Sequence, residues 1–364
     1  MKKSLYFFLI LFLVIFGLMP SATAQHGTGT PAEAADHSAG SFDAGKYVVD
    51  HVSDSHEWHI VTFGNTHLTI PLPVILYSKK SGFHAFLSSR FQHGHAAYRG
   101  FAIAGEGSQE GKIVEVNDKG EITGKPFDFS ITKTVAGALF SALLLAAILI
   151  AVARKAVTNR GKAPSGLHNL VEPVILFVRD DIAIPAIGKN KHERFLPILL
   201  TLFFFILIDN LIGLIPFFPF GANITGNISV TLVLALFTFF ITTFSGNKHY
   251  WKEIFNPDVP WWMKYPVPLM PFVEFFSMFT KPFVLMVRLF ANMMAGHLIV
   301  MVFVSLIFIF GNLFGSIGGF LISPVSILFS VFILLLDVLV SFIQAYVFTL
   351  LSALYFGMAT AEHH

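Results

Sequence analysis

The sequence predicts an all-α polytopic membrane protein with five transmembrane helices, the last two long and tilted, and a small β-rich extracytoplasmic domain at the N-terminus. Of its 364 residues, 54% are hydrophobic and 13% are charged, which is more apolar than an ordinary soluble domain. Long apolar runs, most of them near or above the roughly 20 residues that cross a bilayer as a helix, fill the C-terminal part. Shorter runs rich in β-branched and aromatic residues precede them.

Composition excludes several classes of function. The net charge is only +2, and Lys and Arg form no long runs of the kind that bind nucleic acid, so no nucleic-acid partner is expected. Without cysteine, the chain has no disulfide framework and no thiolate metal site. The phosphate-binding pattern G-x-x-x-x-G-K-[ST] is absent, and "GSQEGKI" has the wrong spacing, so this chain is not expected to catalyse nucleotide chemistry.

Residues 1–24 have the pattern of a signal peptide. Lys2 and Lys3 precede an apolar core, and the small residues Ala22 and Ala24 form an exit at which cleavage after Ala24 is expected. The alternative is a signal anchor that stays in the bilayer. In either case the chain that follows begins outside the cytoplasm.

Residues 25–126 are predicted to form an extracytoplasmic linker and a small β-rich domain. The linker is rich in Gly, Ala, Ser and Thr, and runs such as "WHIVTF" and "KIVEVND" predict short strands after it. This region also contains several histidines, among them His56, His59, His93 and His95. Their spacing is a weak metal signal without cysteine or an acidic cluster, so neither a metal nor another cofactor is expected.

The membrane domain is predicted to span residues 127–364. Its five apolar runs are 131–153, 195–218, 228–244, 267–310 and about 321–359, with an amphipathic stretch near 166–182. The fourth run, at about 1.5 Å per residue, is about 66 Å long against a hydrocarbon core of about 30 Å, so it must tilt, kink or lie partly along the membrane.

Basic residues predict the orientation of these helices. They are concentrated in the loops after the first and third runs, which places those loops in the cytoplasm. The resulting topology has a periplasmic N-terminal domain and a cytoplasmic C-terminus, in a bacterial inner membrane. The basic residues of these loops are Arg154, Lys155, Arg160, Lys162, Arg179, Lys189, Lys191, Arg194, Lys248, Lys252 and Lys264.

Polar residues interrupt the last two runs at helical spacing. Glu274, Lys281 and Arg288 recur every seven residues and predict one polar helix face, to which Ser277 and Asn292 also lie close. His297, nine residues after Arg288, points roughly to the opposite side. On the last run, a second polar stripe consists of Asp337, Ser341 and Gln344.

Arg288 is the sharpest of these signals. Apolar sequence continues for more than ten residues after it, so placing it near mid-span costs about 2.5–3.5 kcal/mol, which makes a functional site the default interpretation over a snorkelling side chain. Its guanidinium does not release a proton, but it would favour ionisation of a neighbouring carboxyl.

The polar residues around Arg288 suggest a role for it. His297, Asp337 and Glu274 can exchange protons, so the pattern suits a proton path divided by a fixed charge, with the titrating carboxylate supplied by another subunit. Three alternatives stay open: Asp337 and Gln344 as structural hydrogen-bonding partners, and Glu274 as a residue of the aqueous boundary.

The motifs "RLFANMMAGH", "FIQAYVFTLLSALYFGMA" and "FLPILLTLFFFILIDNLIGLIP" resemble the signatures of subunit a of F-type ATP synthases, and "PSGLHNLVEPVILFV" resembles the segment before its helical hairpin. The resemblance covers about 130–362. It implies two half-channels for protons that meet a rotating c-ring, with the peripheral stalk subunit b, other ATP synthase subunits and the lipid bilayer as further partners.

The same resemblance implies roles for individual residues. Arg288 would drive deprotonation of each c-subunit carboxylate and block a direct leak, while Ala291 departs from the glycine that many members carry. The other matched positions are Gln344 near the arginine, Asn292 and Lys281 in the same motif, His297 and Asp337 in the half-channel from outside, Asn210 at the inlet and Glu274 on the path to the cytoplasm.

A secondary transporter and a structural membrane scaffold are the two other classes of function. A secondary transporter could use Arg288 to hold an anionic substrate, but such proteins usually show internal repeats, and the two halves of this chain show none. A structural membrane scaffold would not need polar stripes at mid-span.

Overall fold

A computed structural model of the chain describes its strands, its helices and most of the connections between them. The described residues are 54–63, 66–79, 81–92, 94, 96–104, 111–117, 121–158, 165–215, 223–256 and 269–361. The predicted signal peptide, the predicted linker, His93 and His95 lie outside these residues.

Short antiparallel strands form three small sheets before the first helix. Their order is β1-β2 in one sheet, β4-β3-β8 in the second and β5-β6-β7 in the third. We call residues 54–128 the N-terminal β-region. Its strands are β1 Glu57–Phe63, β2 Thr66–Pro71, β3 Pro73–Ser78, β4 Gly82–Leu87, β5 Phe101–Ile103, β6 Ile113–Val116, β7 Ile122–Gly124 and β8 Phe127–Asp128.

A small core holds two of these sheets together. Val74 and Leu76 alternate with more exposed neighbours along β3, as the two-residue period of a strand requires, and both are buried. They belong to one apolar cluster with Phe91, Phe101 and Ile113. The sheet of β3 and the sheet of β5 therefore share a hydrophobic core.

Helices follow from residue 133. Asn227 caps the N-terminus of one of them, accepting a hydrogen bond from the Ser229 amide at 3.0 Å. The helices before residue 256 are α1 Lys133–Thr158, α2 Leu167–Phe177, a π-helical turn Val178–Ala183, α3 Ile184–Ile187, α4 His192–Gly213, α5 Ile228–Ser245 and α6 Lys248–Phe255.

The last helical segment, Leu269–Thr360, is a hairpin. Gly315 has φ 69° and ψ −172°, a conformation that suits glycine and lies outside the helical region, so the 92-residue segment divides into α7 (269–314) and α8 (316–360). Ser326 on α8 donates a hydrogen bond to the Phe303 carbonyl on α7. The rings of Phe303 and Phe329 stack with centroids 5.4 Å apart. The two helices are therefore antiparallel neighbours.

The main core packs the other helices against this hairpin. Phe195 of α4 stacks on Phe356 of α8 with ring centroids 5.1 Å apart, and both are fully buried or nearly so. On α5, Thr238 lies 3.2 Å from the Ser352 hydroxyl of α8. Trp58 of the N-terminal β-region is only 6% exposed and joins the same apolar cluster, so the sheets and the helices share part of one core.

The observed helices occupy the apolar runs of the sequence. Helices occupy 133–158, 192–213, 228–245, 269–314 and 316–360, within a few residues of the sequence predictions at most ends. In the described part of the chain, four helices are long and apolar enough to cross a membrane, with the hairpin segment counted as one. The interval between the last two predicted runs, 311–320, is helical except at Gly315.

A partly buried hydrogen bond joins β8 to the first residues of the N-terminal β-region. His56 Nε2 lies 3.2 Å from Asp128 Oδ2, and the Ser130 amide donates to Asp128 Oδ1 at 2.8 Å. Burial alone would raise the pKa of the Asp128 carboxyl, but the hydrogen bonds from His56 and Ser130 outweigh it and hold the pKa below its ordinary value.

Because the folded-state pKa of Asp128 is lowered, its contribution to stability is present above the ordinary aspartate pKa and is lost as the pH falls through the lower folded value. We therefore expect amide protection in β3 and β8 to hold down to about pH 4 and to fall below it. Asp128→Asn should lower protection already at neutral pH. Hydrogen exchange with mass spectrometry measures both, with Glu121→Gln, an exposed acid, as control. Equal neutral-pH protection in Asp128→Asn and the unaltered chain would contradict this role.

Candidate functional site

Arg288 lies on an exposed face of α7. Within the described part of the chain it makes no hydrogen bond or ion pair, although its charge acts on Tyr355 of α8. None of the chain's own described acids neutralises it. A cation in this position is available to a group that another molecule supplies.

Gln344 lies within about one helical turn of the level of Arg288 on the hairpin. Lys281 meets Tyr355 on one side of this level, and Gly296 meets Asp337 on the other. Interpolation between these two contacts brings residue 288 level with about residue 347, so Gln344 lies about 4 Å from that level, toward Asp337. Gln344 is only 6% exposed, so its amide lies inside the chain while Arg288 faces outward.

Asp337 and His297 lie at one level of the hairpin. A Cβ added to Gly296 would lie 2.6 Å from Asp337 Oδ1 and 2.9 Å from Oδ2, so the carboxyl packs directly against the α7 backbone. His297 is the next residue of α7, and its Nε2 atom is buried, as is Asp337 Oδ2. Ser341 donates to the Asp337 carbonyl at 2.7 Å. Asp337, predicted to act with His297, therefore packs against Gly296, the residue that precedes His297 in α7.

Asn210 lies near the C-terminal end of α4 and is fully buried. Thr225, from the segment before α5, donates a hydrogen bond to Asn210 Oδ1 at 2.5 Å and is itself 1% exposed. Asn210 Nδ2 has no hydrogen-bond partner among the described residues. The Asn210 Nδ2 group is therefore a buried hydrogen-bond donor to which water or a proton-carrying group could bind.

Lys281 and Glu274 lie at the opposite end of α7 from the Asp337 level. Lys281 Nζ is 5.8 Å from the centroid of the Tyr355 ring, within cation–π range. The side chain borders a small cleft whose polar lining includes Thr238, Thr242, Tyr250 and Tyr355.

Tyr250, on the short helix α6, connects this cleft to Glu274. Burial, and then the negative charge of Glu274, raise the pKa of the Tyr250 hydroxyl. The hydroxyl therefore keeps its proton at neutral pH and can donate a hydrogen bond into the cleft.

The structure thus divides the predicted residues into groups. Asp337 contacts Gly296, which precedes His297. Lys281 contacts Tyr355 and lies nearer the start of α7. Asn292 is exposed one turn beyond Arg288 on α7, so these two share the outward face. Asn210 belongs to a separate buried pair with Thr225.

Comparison with known proteins identifies the helical part. The family model described as "ATP synthase A chain" matches residues 136–357, more than half of the chain.

The chain belongs to the ATP synthase A chain family.

Curated relatives agree with this assignment. ATP synthase subunit a of Chloroherpeton thalassium is 44% identical over 242 residues, which is 65% of this chain and 68% of that protein. ATP synthase subunit a 2 of Chlorobaculum tepidum is 44% identical over 246 residues, 65% of each chain. ATP synthase subunit a of Myxococcus xanthus is 42% identical over 243 residues, 65% of this chain and 75% of that protein. The resemblance predicted from the sequence motifs is confirmed.

The N-terminal β-region matches a second family model. It is described as a domain of unknown function (DUF8433) and covers residues 47–129. The match ends a few residues before the ATP synthase A chain match begins, in the connection between β8 and α1.

Three further polar residues of this ATP synthase A chain member occupy buried or partly buried places and were not predicted from the sequence. Asp209 is 1% exposed and lies beside Ser141 of α1, and neither of its carboxyl oxygens has a hydrogen-bond partner in the described residues. An acid inside an apolar run was a signal that could have been found. Thr225 and Tyr250 carried no such signal, because their roles depend on packing between distant segments.

In this ATP synthase A chain member, the Asp337 carboxyl leaves no room for a side chain at Gly296. We expect Gly296→Ala to push the Asp337 carboxyl away from α7 and to lower ATP-driven proton pumping several-fold, because the new methyl would overlap the carboxyl group. Gly311→Ala is the matched control, since a Cβ there has no atom within 4 Å and should be tolerated. Fluorescence quenching of a pH-sensitive dye in inverted vesicles measures pumping, and immunoblotting measures the amount of subunit. Equal pumping by the two variants would contradict the close contact.

Proposed function

We propose that this chain is the proton-conducting stator subunit of an F-type ATP synthase, in which Arg288 faces a ring of c subunits and drives each passing carboxylate to release its proton. The observation that carries the proposal is the exposure of Arg288 on the hairpin without a neutralising partner among the described residues. A fixed cation at this surface lowers the pKa of a carboxyl that approaches it. Since guanidinium keeps its proton, it also blocks direct transfer across the interface.

Family membership supports the partners of this proposal. As a subunit of an ATP synthase the chain has other ATP synthase subunits as partners. We propose the c-ring at the Arg288 face and the peripheral stalk subunit b among the further contacts, with the catalysis of phosphoryl transfer in other chains of the complex.

We assign the remaining polar residues to two half-channels. His297 and Asp337, together with the Asn210–Thr225 pair, form the route from outside to the c-ring. Lys281 and Glu274, with the cleft beside Tyr250, form the route to the cytoplasm. Arg288, Asn292 and Gln344 lie between the two groups along the hairpin, so a proton must change carrier at the rotor to pass from one route to the other.

The proposed topology has five membrane crossings, with α7 and α8 each crossing once. The basic residues at the end of α1 and after α5 favour a cytoplasmic position for these ends. The N-terminal β-region and Gly315 then lie on the periplasmic side of a bacterial inner membrane, and the C-terminus lies inside. Each half of the hairpin, at about 1.5 Å per residue, is about twice as long as the hydrocarbon core, so both helices tilt or extend beyond it.

Coupling rather than simple conduction follows from the energies. One elementary charge that crosses about 100 mV releases about 2.3 kcal/mol, so several protons are needed for each ATP. A leak past Arg288 would waste this energy. The proposed arrangement therefore needs both routes to end at the rotor.

Arg288→Ala is expected to reduce ATP-driven proton pumping to the level seen in vesicles without the complex. No cation would remain to displace the proton from the c-subunit carboxylate. Pumping is measured by dye quenching in inverted vesicles, and ATP hydrolysis by the extracted catalytic sector should be unchanged. Arg179→Ala is the matched control, since Arg179 is exposed and paired with Asp180 at 2.7 Å. Retained pumping in Arg288→Ala would overturn the proposal, and loss of uptake of another solute would favour a secondary transporter.

A further inference from the structure

The N-terminal β-region is joined to the helices by a set of polar contacts that neither half-channel uses. Asp54 Oδ1 accepts a hydrogen bond from the Thr134 amide at 3.0 Å, across 80 residues of sequence. The Lys133 amide donates to the Ser55 carbonyl at 2.8 Å. The first turn of α1 is therefore capped by a segment that precedes β1.

The Asp54 carboxylate also reaches the start of α5. Asn227 Nδ2 lies 3.5 Å from Asp54 Oδ2 and 3.5 Å from the Thr134 hydroxyl. The charge of Asp54 acts on Lys133, which begins α1. Negative charge at two helix N-termini is favourable because it meets their unsatisfied amides and the positive ends of their dipoles. We call Asp54 with Lys133, Thr134 and Asn227 the Asp54 clamp.

One member of this clamp, Asn227, is two residues after Thr225, which is hydrogen-bonded to Asn210. Asn227 caps α5, and its own amide donates to the Ile224 carbonyl at 3.1 Å, closing the turn that contains Thr225. Thr225 in turn holds Asn210 Oδ1. A short chain of contacts thus leads from Asp54 through Asn227 and its turn to the buried amide of Asn210.

Apolar packing supports the same docking. Trp58, four residues after Asp54, is buried in the cluster that contains Ala138 of α1 and Val230 of α5, and Ile70 of β2 packs against it. The polar clamp and this apolar contact hold the N-terminal β-region on the ends of the same two helices.

We propose that the N-terminal β-region is docked on the outer ends of α1 and α5, and that Asp54 is a positioning residue for proton uptake at the Asn210–Thr225 pair. The inference rests on the proposed function, because it assigns these ends to the outside and the pair to the inlet. Asp54 does not carry the proton. It fixes the turn that aligns Thr225 with Asn210, so its loss weakens uptake of protons from outside more than the later steps.

The absence of cysteine from the chain allows a direct test of the contact. In the assembled complex, Asp54→Cys combined with Asn227→Cys should form a disulfide under mild oxidation, identified by mass spectrometry of the linked peptides. Asp54→Cys with Lys248→Cys, at the start of α6 and beyond the opposite end of α5 from Asn227, should form none. If the first pair does not cross-link, the docking is wrong.

Function is tested by ATP synthesis in proteoliposomes at constant membrane potential. The proton concentration is varied on the side that corresponds to the outside of the cell, which we call the outer proton concentration. Asp54→Ala should raise the outer proton concentration needed for half-maximal synthesis by about three- to tenfold, the range expected for one lost hydrogen bond, with a smaller change in maximal rate. Oxidation of the double-cysteine variant should restore much of the affinity that its reduced form lacks. Glu121→Ala, in the same region but bonded only to Asn117 among these contacts, is the control.

The outcomes separate this inference from the proposed function. If Asp54→Ala lowers only the amount of subunit and leaves the proton dependence unchanged, Asp54 is structural and the positioning role is overturned. That result would leave the Arg288 proposal intact. Pumping by Arg288→Ala would remove the proposed function itself, whatever the Asp54 variants do.

Discussion

The close antiparallel contact of α7 and α8 sets the level of every polar residue along the hairpin. Gly296 gives the Asp337 carboxyl direct access to the α7 backbone, and Lys281 meets Tyr355 at the other end of the contact. Between these points, Arg288 lies on α7 and Gln344 lies on α8 within about one helical turn of its level. In hydrocarbon, helices gain from such small-residue contacts because no hydrophobic force drives them together. A change in this register would move all of these groups at once.

Polar groups in a membrane helix are costly, and this chain places them where neighbouring helices or water can compensate. Asn210 is held by Thr225, Gln344 is buried, and Lys281 borders a cleft with hydroxyl groups on its wall. Arg288 differs from these, because its compensation must come from outside the described chain. This difference supports the proposal that a partner completes the Arg288 surface.

The sequence was sufficient for the helices and for the residue types of the site, but not for its contacts. Apolar runs predicted each long helix, because length and composition alone decide which segments can cross a bilayer. The seven-residue spacing put Lys281 and Arg288 on one face, yet Lys281 turns to Tyr355 while Arg288 stays exposed, since the facing helix decides this. Thr225 and Asp54 act through contacts between segments far apart in the chain, which periodicity cannot reveal.

The connection between β8 and α1 has almost no slack. The Phe129 amide donates to the Ile75 carbonyl at 2.9 Å, and the Ile131 amide donates to the Pro73 carbonyl at 3.0 Å, so the chain stays in register with β3 until the helix begins. These bonds leave few free backbone rotations between the sheet and its helix. In electron images of a detergent-solubilised complex, the sheet would form a rigid landmark on one side of the micelle, by which otherwise similar particle views could be aligned.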